Sequence, residues 1–310
     1  MSDSRRLGRA SEGGIGRSCF EVNEGGHGYA GGVGLPPGSV GNQVVMKSPK
    51  VYAIYWDEYF QVNPQTVYTM NQFFSQILTG RYMRQLEQYG GIGLGQFLGS
   101  SVIVPDPASP PPAPPALLDD AHIEGQLQHW ISNKTVPVRP DEDETNLLYV
   151  IFTPSNTNMG DCVAGSHGHV RYDEVPSAQK MDDNLFWAAI QQWHEYGTPS
   201  SGHEFADSCT WAVSHEMVEA FTNRDERGFA YRPGDGNSYE IGDICECARG
   251  SQAEKTPIIT TQIDGWVVET YWDNTNQSCY PLHIVPRNQA PEVGYEILRR
   301  QNEQRQKRQP

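Results

Sequence analysis

The chain has 310 residues, with 37% hydrophobic and 10% aromatic side chains, enough apolar material for one large domain or two small ones. Its 38 acidic and 23 basic residues give a formal net charge of −15, which argues against nucleic acid or an anionic membrane as the main partner. No apolar run approaches the ~18 residues that a membrane span needs.

Residues 1–45 are rich in Gly, Ser and charge, with GGHGYAGGVGLPPG at their centre. Such a segment buries too little apolar surface to offset the entropy of ordering it, and it reads as a flexible arm. The first 20 residues hold Arg5, Arg6, Arg9 and Arg17 but no apolar stretch of the signal-peptide kind. A single domain is expected over 46–285, followed by a polar tail over 286–310.

Within the domain, VYAIYW (Val51 to Trp56) is a nearly continuous apolar run that suits a buried strand. Asn63-Pro64 reads as an N-cap followed by proline at the first helical position. Val67, Met70, Phe74 and Ile77 then recur at helical spacing, and Gly80 ends the run. A short helix over Tyr82 to Tyr89 and a strand over Phe97 to Asp106 follow. Seven prolines between Pro105 and Pro115 mark a surface insertion over 105–116 that is neither helix nor strand. Leu117 to Ser132 reads as a helix with Ile123, Leu127 and Trp130 on one face, and NLLYVIF (Asn146 to Phe152) as a buried strand. The alternation of strand and helix predicts an α/β domain with a mixed or parallel sheet and helical crossovers.

In GSHGHVRYDE, His167 and His169 are two apart and share a face if the segment is a strand. NLFWAAIQQW (Asn184 to Trp193) fits helix or strand on local pattern. WAVSHEMVEAF (Trp211 to Phe221) is apolar at seven of eleven positions and predicts a helix from about Asp207 to Asn223, capped by Asp207 or Ser208. His215 and Glu219 stack on one side of it, with Glu216 one step round. An imidazole and two carboxylates on an apolar helix need charge partners, and a metal ion is the simplest. Further on, Asp264-Gly265 between Ile258 to Ile263 and Trp266 to Trp272 signals a hairpin with a type I′ turn.

His-Glu-x-x-His on a helix is the zinc hydrolase arrangement, with two ligands four apart and a general base between them. Here Glu219 replaces the second His, and Glu240 lies 21 residues downstream as a third ligand. Asp243 is positioned to bond the far nitrogen of His215 and fix its tautomer. Glu216 is then the general base. One His and two carboxylates neutralise a divalent ion, so Mn²⁺, Fe²⁺ or Ca²⁺ are admitted alongside Zn²⁺. If Glu219 is not a ligand, His167 or His169 completes the shell. His203-Glu204 begins a second His-Glu pattern with an acid at the same spacing, so the pattern alone does not separate a metal site from a satisfied His–carboxylate network; EIGDICE (Glu240 to Glu246) adds weight to the metal. The six cysteines permit disulfides, and a bridge from Cys245 or Cys247 to Cys279 is expected, with Cys162–Cys209 as a second pairing.

SHEMVEAFTN followed by EIGDICE resembles the phosphate-induced, EXORDIUM-like family, which carries a His-Glu-x-x-Glu helix and then a Glu-Ile-x-Asp-x-Cys-Glu segment. VYAIYW, LLYVIFTP, Cys162 with its Gly-x-His stretch and YWDNTNQSCY fall in the family's order, so the likeness spans about Lys50 to Pro281. The resemblance implies a zincin-like α/β (α+β) architecture: a twisted mixed sheet beside an active-site helix, with an antiparallel edge strand lining the cleft. That edge strand favours a strand over Asn184 to Trp193. The resemblance also implies secretion. The expected function is a metal-dependent hydrolase acting on peptide or protein, with Tyr231 or His169 stabilising an oxyanion. The alternatives are a non-catalytic extracellular binding or signalling protein of the same shape and, less simply, a carbohydrate hydrolase using Glu216 and Glu240 as its carboxylate pair.

Overall fold

The structure is a computed structural model; it describes residues 44–104, 115–136, 146–159, 164–171, 184–192, 202–224, 228–229, 240–246, 260–273 and 278–280. Residues 1–43 of the expected arm, most of the proline-rich insertion and the C-terminal tail lie outside these residues, as do Tyr231 and Cys162; Val45, expected at the end of the arm, is buried in the core.

Three apolar runs, KVYAIYW, LLYVIF and NLFWAAI, form the centre of a five-stranded sheet. β1 (Lys50–Trp56), β2 (Gln96–Ile103), β3 (Leu147–Phe152) and β5 (Asn184–Ile190) run parallel, and β4 (Gly165–Arg171) pairs antiparallel with β5 at one edge, in the order β2-β1-β3-β5-β4. The sheet is therefore mixed and the domain α/β. β1 and β3 lack a polar face because both of their faces are covered, the usual reason for a continuous apolar strand. Val51, Ala53, Tyr55, Leu148, Val150 and Phe152 enter one core; Tyr52, Ile54, Trp56, Leu147, Tyr149 and Ile151 enter the other, as the period of two requires. In the first core Tyr55 stacks on Phe152 with ring centroids 4.9 Å apart. Each such fully buried side chain contributes roughly 1.5–3 kcal/mol.

The second core is closed by α4 (Asp120–Ser132), which buries Ile123, Leu127, Trp130 and Ile131. Asp119 caps it by accepting from the His122 amide at 2.9 Å, so the helix begins two to three residues later than its apolar face suggests. The first core is closed by α2 (Pro64–Ile77) and by α5 (Gly202–Thr222). A short α1 (Glu58–Val62), capped by Asp57, precedes α2. Asn63 is therefore not the side-chain cap expected of it: its Nδ2 donates to the Tyr59 carbonyl at 2.8 Å at the end of α1.

Two further differences concern the far half of the chain. Asn184 to Ile190 is a strand, but it lies inside the sheet and runs parallel to β3; the antiparallel edge is β4, which carries the two histidines. The central helix starts at Gly202, earlier than expected, so Asp207 and Ser208 lie within it rather than at its cap. From Cys209 to Arg224 every described side chain is buried, because α5 is surrounded by α2, β4, β5, α6 (Ile241–Glu246) and β7 (Trp266–Glu269). The buried hydroxyls of this helix must find partners within the protein, and Thr210 donates across to the Val267 carbonyl at 2.6 Å. Ser214 donates to the Trp211 carbonyl at 2.8 Å and Thr222 to that of Val218 at 2.7 Å.

The hairpin forms between β6 (Thr260–Ile263) and β7. Asp264 and Gly265 have φ of 53° and 89°, the two positive values that a type I′ turn demands. The second arm breaks at Thr270, and Tyr271–Asp273 (β8) pairs with Ser278–Tyr280 (β9) instead. Tyr82, on α3 (Arg81–Arg84), donates to the Glu269 carbonyl at 2.9 Å and accepts at its own carbonyl from Tyr271 at 2.6 Å. A disulfide joins Cys245 of α6 to Cys279 of β9. It closes a span of 34 residues, which predicts a loss of roughly 3–4 kcal/mol on opening. Cys279→Ser is accordingly expected to lower the melting temperature by several degrees, and a reductant to do the same to the unsubstituted protein; a melting curve unchanged by both contradicts this role.

Candidate metal centre

Four elements bring seven ionisable side chains to one point in the first core. α5 supplies His215, Glu216 and Glu219, all without solvent exposure. β4 supplies His167; Glu240 and Asp243 come from the start of α6, and Glu269 from the end of β7. Five carboxylates thus converge on two imidazoles.

The contacts form a chain centred on Glu219. Its Oε2 lies 3.1 Å from His215 Nε2 and 3.6 Å from His167 Nδ1. Its Oε1 accepts from the Asp243 amide at 3.2 Å. His167 Nδ1 lies 3.0 Å from Glu216 Oε2, and its Nε2 lies 3.4 Å from Glu240 Oε2. His215 Nε2 also faces Asp243 Oδ1 at 3.8 Å, while its Nδ1 faces Glu269 Oε1 at 3.3 Å. Asp243, expected beside the far nitrogen of His215, therefore lies on the Nε2 side; Glu269 occupies the far side. The reason is local. Asp243 Oδ2 accepts from the Glu240 amide at 3.0 Å, closing the first turn of α6 as in a capping box and fixing where the other oxygen points.

The ligand atoms fall into two groups whose members lie within 4.8 Å of one another: His167, Glu219 and Glu240, and His215, Glu219 and Asp243. The expected trio of His215, Glu219 and Glu240 is divided between them, with Glu219 in both. His169 sits on the same strand face but further along, its ring 6.1 Å from that of Phe186, and belongs to neither group. His167 stands between Glu216 and Glu240, each within 3.4 Å of one of its nitrogens, so these two carboxylates do not flank an open gap of the kind a glycosidic bond needs. No protein-family model, curated protein or solved structure matches the chain.

Close approach at this point depends on two glycines. A Cβ on Gly242 would lie 2.8 Å from both Glu219 Oε1 and His215 Nδ1, and one on Gly165 would lie 2.6 Å from Glu216 Oε1. Other residues act as props. Ser214 Oγ accepts from the Glu269 amide at 2.9 Å and so presents Glu269 to His215. Asn223 donates from Nδ2 to Glu240 Oε1 while its Oδ1 accepts from the Gly228 amide at 2.7 Å. Neither Glu269 nor Asn223 is singled out by the sequence reading, although a lone acid within WVVETYW, an otherwise uncharged stretch, is the kind of costly placement that signals a buried partner.

Electrostatically the cluster is strained toward proton uptake. Burial pushes the His167 imidazole down, but Glu240 and Glu216 outweigh it and hold the pKa well above the usual value. His215 is raised in the same way, against burial, by Glu219 and Glu269. Burial and the neighbouring Asp243 push Glu219 well above the ordinary carboxylate range. Burial likewise raises Asp243, to about 6. Glu240 alone is lowered, because His167 and Asn223 outweigh its burial. Several buried polar atoms still lack a hydrogen-bond partner: Glu219 Oε2, both nitrogens of His215, Glu216 Oε1 and both carboxylate oxygens of Glu269. Buried polar atoms are nearly always satisfied, and a cluster of exceptions at one point needs an explanation. A divalent cation supplies one, since it is the partner that imidazole nitrogens and carboxylate oxygens share. The residues present therefore fit a metal ion.

Gly242 gives a direct check. Gly242→Ala places a methyl group against His215 and Glu219 while favouring helix in α6. Titration calorimetry with Zn²⁺ or Mn²⁺ is expected to show affinity lowered at least ~10-fold, in the range seen when groups that orient metal ligands are disturbed. Unchanged affinity would show that these two side chains do not hold the ion.

Proposed function

We propose that this protein is a metal-dependent hydrolase of the zincin-like, EXORDIUM-like type, acting outside the cell on peptide or protein. One observation carries the reading: four buried carboxylates and the half-buried Asp243 meet two imidazoles, with orphaned ligand atoms, beside a helix that bears His-Glu-x-x-Glu and is buried from Cys209 onward. A mixed sheet with its one antiparallel strand at the edge nearest that helix supports the zincin-like shape. The Cys245–Cys279 disulfide supports an oxidising compartment.

His167, His215, Glu219, Glu240 and Asp243 would hold the metal, with zinc the first candidate and Mn²⁺, Fe²⁺ or Ca²⁺ compatible with the oxygen-rich donors. When bound, the ion supplies Lewis acidity and lowers the pKa of a coordinated water. Glu216 is the general base. Its Oε2 is fixed by His167, which holds the carboxylate in one orientation, and its Oε1, which meets no hydrogen-bond partner, is the oxygen left to take up a proton. Glu216 holds the ring of His167 by a hydrogen bond, and Glu269 stands 3.3 Å behind the ring of His215.

A second reading rests on the burial of Glu216. Its side chain has no exposure and one oxygen is engaged by His167, as suits a carboxylate that orients a ligand in a non-catalytic binding or signalling protein. The two readings separate on Glu216→Gln, which keeps the shape of the side chain. The hydrolase requires the variant to retain metal and lose peptide hydrolysis by 10²-fold or more, the usual scale for a general base. His215→Ala should lose both. Full activity in Glu216→Gln removes it as the base, whereas metal-loaded, unsubstituted protein that hydrolyses no peptide leaves the binding protein.

A further inference from the structure

We infer that the centre is built for two cations that share the Glu219 carboxylate. The inference rests on the metal-binding part of the proposed function and goes beyond it in stoichiometry and in the role given to Glu219.

Three observations lead there. The two groups of ligand atoms each hold one imidazole and two carboxylates, they have only Glu219 in common, and among the described residues neither group contains both imidazoles. A single ion held by all five side chains would need the two rings in one group.

Each imidazole also has its own supporting carboxylate. Glu216 lies 3.0 Å from His167 Nδ1, and Glu269 lies 3.3 Å from His215 Nδ1. In both rings Nε2 is left facing a different acid, Glu240 at 3.4 Å for His167, and Glu219 at 3.1 Å with Asp243 at 3.8 Å for His215. A carboxylate behind a metal-bound imidazole is the usual second layer of a metal site; here one is hydrogen-bonded to His167 and another stands 3.3 Å from His215, while Glu219 Oε2 reaches His167 from the Nδ1 side at 3.6 Å. Ser214 and Gly165 serve the two halves separately: one presents Glu269 and the other leaves room for Glu216.

The third observation concerns charge. Glu219 Oε2 and His215 Nε2 are fully buried, 3.1 Å apart, and neither meets a hydrogen-bond partner. Glu219 Oε1 is already engaged by the Asp243 amide, so Oε2 is the oxygen turned toward both rings. With neutral imidazoles as ligands, one divalent ion leaves three of the five carboxylate charges uncompensated in the core. Two ions leave one. Buried net charge costs several kcal/mol per ion, so the second cation is what the cluster's composition calls for. One nitrogen and several oxygens per ion suit Zn²⁺, Mn²⁺ or Fe²⁺.

The test uses the whole chain stripped by chelator and reloaded with Mn²⁺, read by native mass spectrometry and by electron paramagnetic resonance. The expected result is two ions per chain and the exchange-coupled spectrum of a bridged pair. His167→Gln and His215→Gln are each expected to bind one ion with the spectrum of an isolated Mn²⁺. Saturation of the unsubstituted chain at one ion with an isolated spectrum overturns the pair and leaves the single-metal reading standing. Binding of no ion overturns both. Should either variant fail to fold, the stoichiometry and spectrum of the unsubstituted chain decide the matter alone.

Discussion

The carboxylate of Glu219 sits without solvent exposure between two imidazoles, on a helix whose other described side chains are also buried. Most features of this half of the molecule follow from that placement. A charge in an apolar core is tolerated only where partners are brought to it, and the partners here come from β4, α6 and β7 as well as from α5 itself. Packing and chemistry are therefore not separate layers. The same contacts that seat α5 against the sheet edge, the hairpin and the short α6 also assemble the cluster.

The surrounding structure fixes the cluster tightly. The disulfide holds α6 to β9, and β9 pairs with β8, which follows directly on the strand carrying Glu269. Tyr82 pins the Glu269 backbone from α3. Asn223, at the end of α5, reaches across to Glu240 at the start of α6. A polar network of this kind, in a low-dielectric interior, rigidifies the site when it is satisfied and is costly when it is not. Among the atoms still orphaned are Glu219 Oε2 and His215 Nε2, 3.1 Å apart at the middle of the network, where a cation would meet them both.

Much of the fold could be read from the sequence because its signals are strong and local. VYAIYW and NLLYVIF are too uniformly apolar to be anything but covered on both faces, and Asp264-Gly265 supplies the positive φ values that its hairpin needs. His215, Glu216 and Glu219 are legible because helical periodicity alone places them together, and EIGDICE because its carboxylate lies about twenty residues downstream, where a third ligand is often found. The order of strands in the sheet was not legible: the resemblance alone suggested an edge at NLFWAAI, whereas this apolar strand lies inside and the polar GSHGHVR forms the antiparallel edge. The start of α5 was missed because Asp207 and Ser208 look like caps, yet the helix continues back through them. Glu269 was missed because its meaning is tertiary. Only the hairpin's docking on α5, through Ser214, brings it behind His215. The side on which Asp243 approaches that ring likewise depends on the capping turn of α6, not on its distance along the chain.

The central claim is that cations complete the buried charge of this core, so that their removal should cost stability as well as chemistry. The most direct measurement is the thermal unfolding of the purified protein with and without a strong chelator, followed by readdition of Zn²⁺ or Mn²⁺. An ion present at about a thousand times its dissociation constant stabilises by roughly 4 kcal/mol, or on the order of 10 °C in Tm for a domain of this size. The account predicts a fall of that order on chelation and its recovery on readdition. A Tm indifferent to both treatments would contradict it and leave the cluster as a proton-sharing network of histidines and carboxylates.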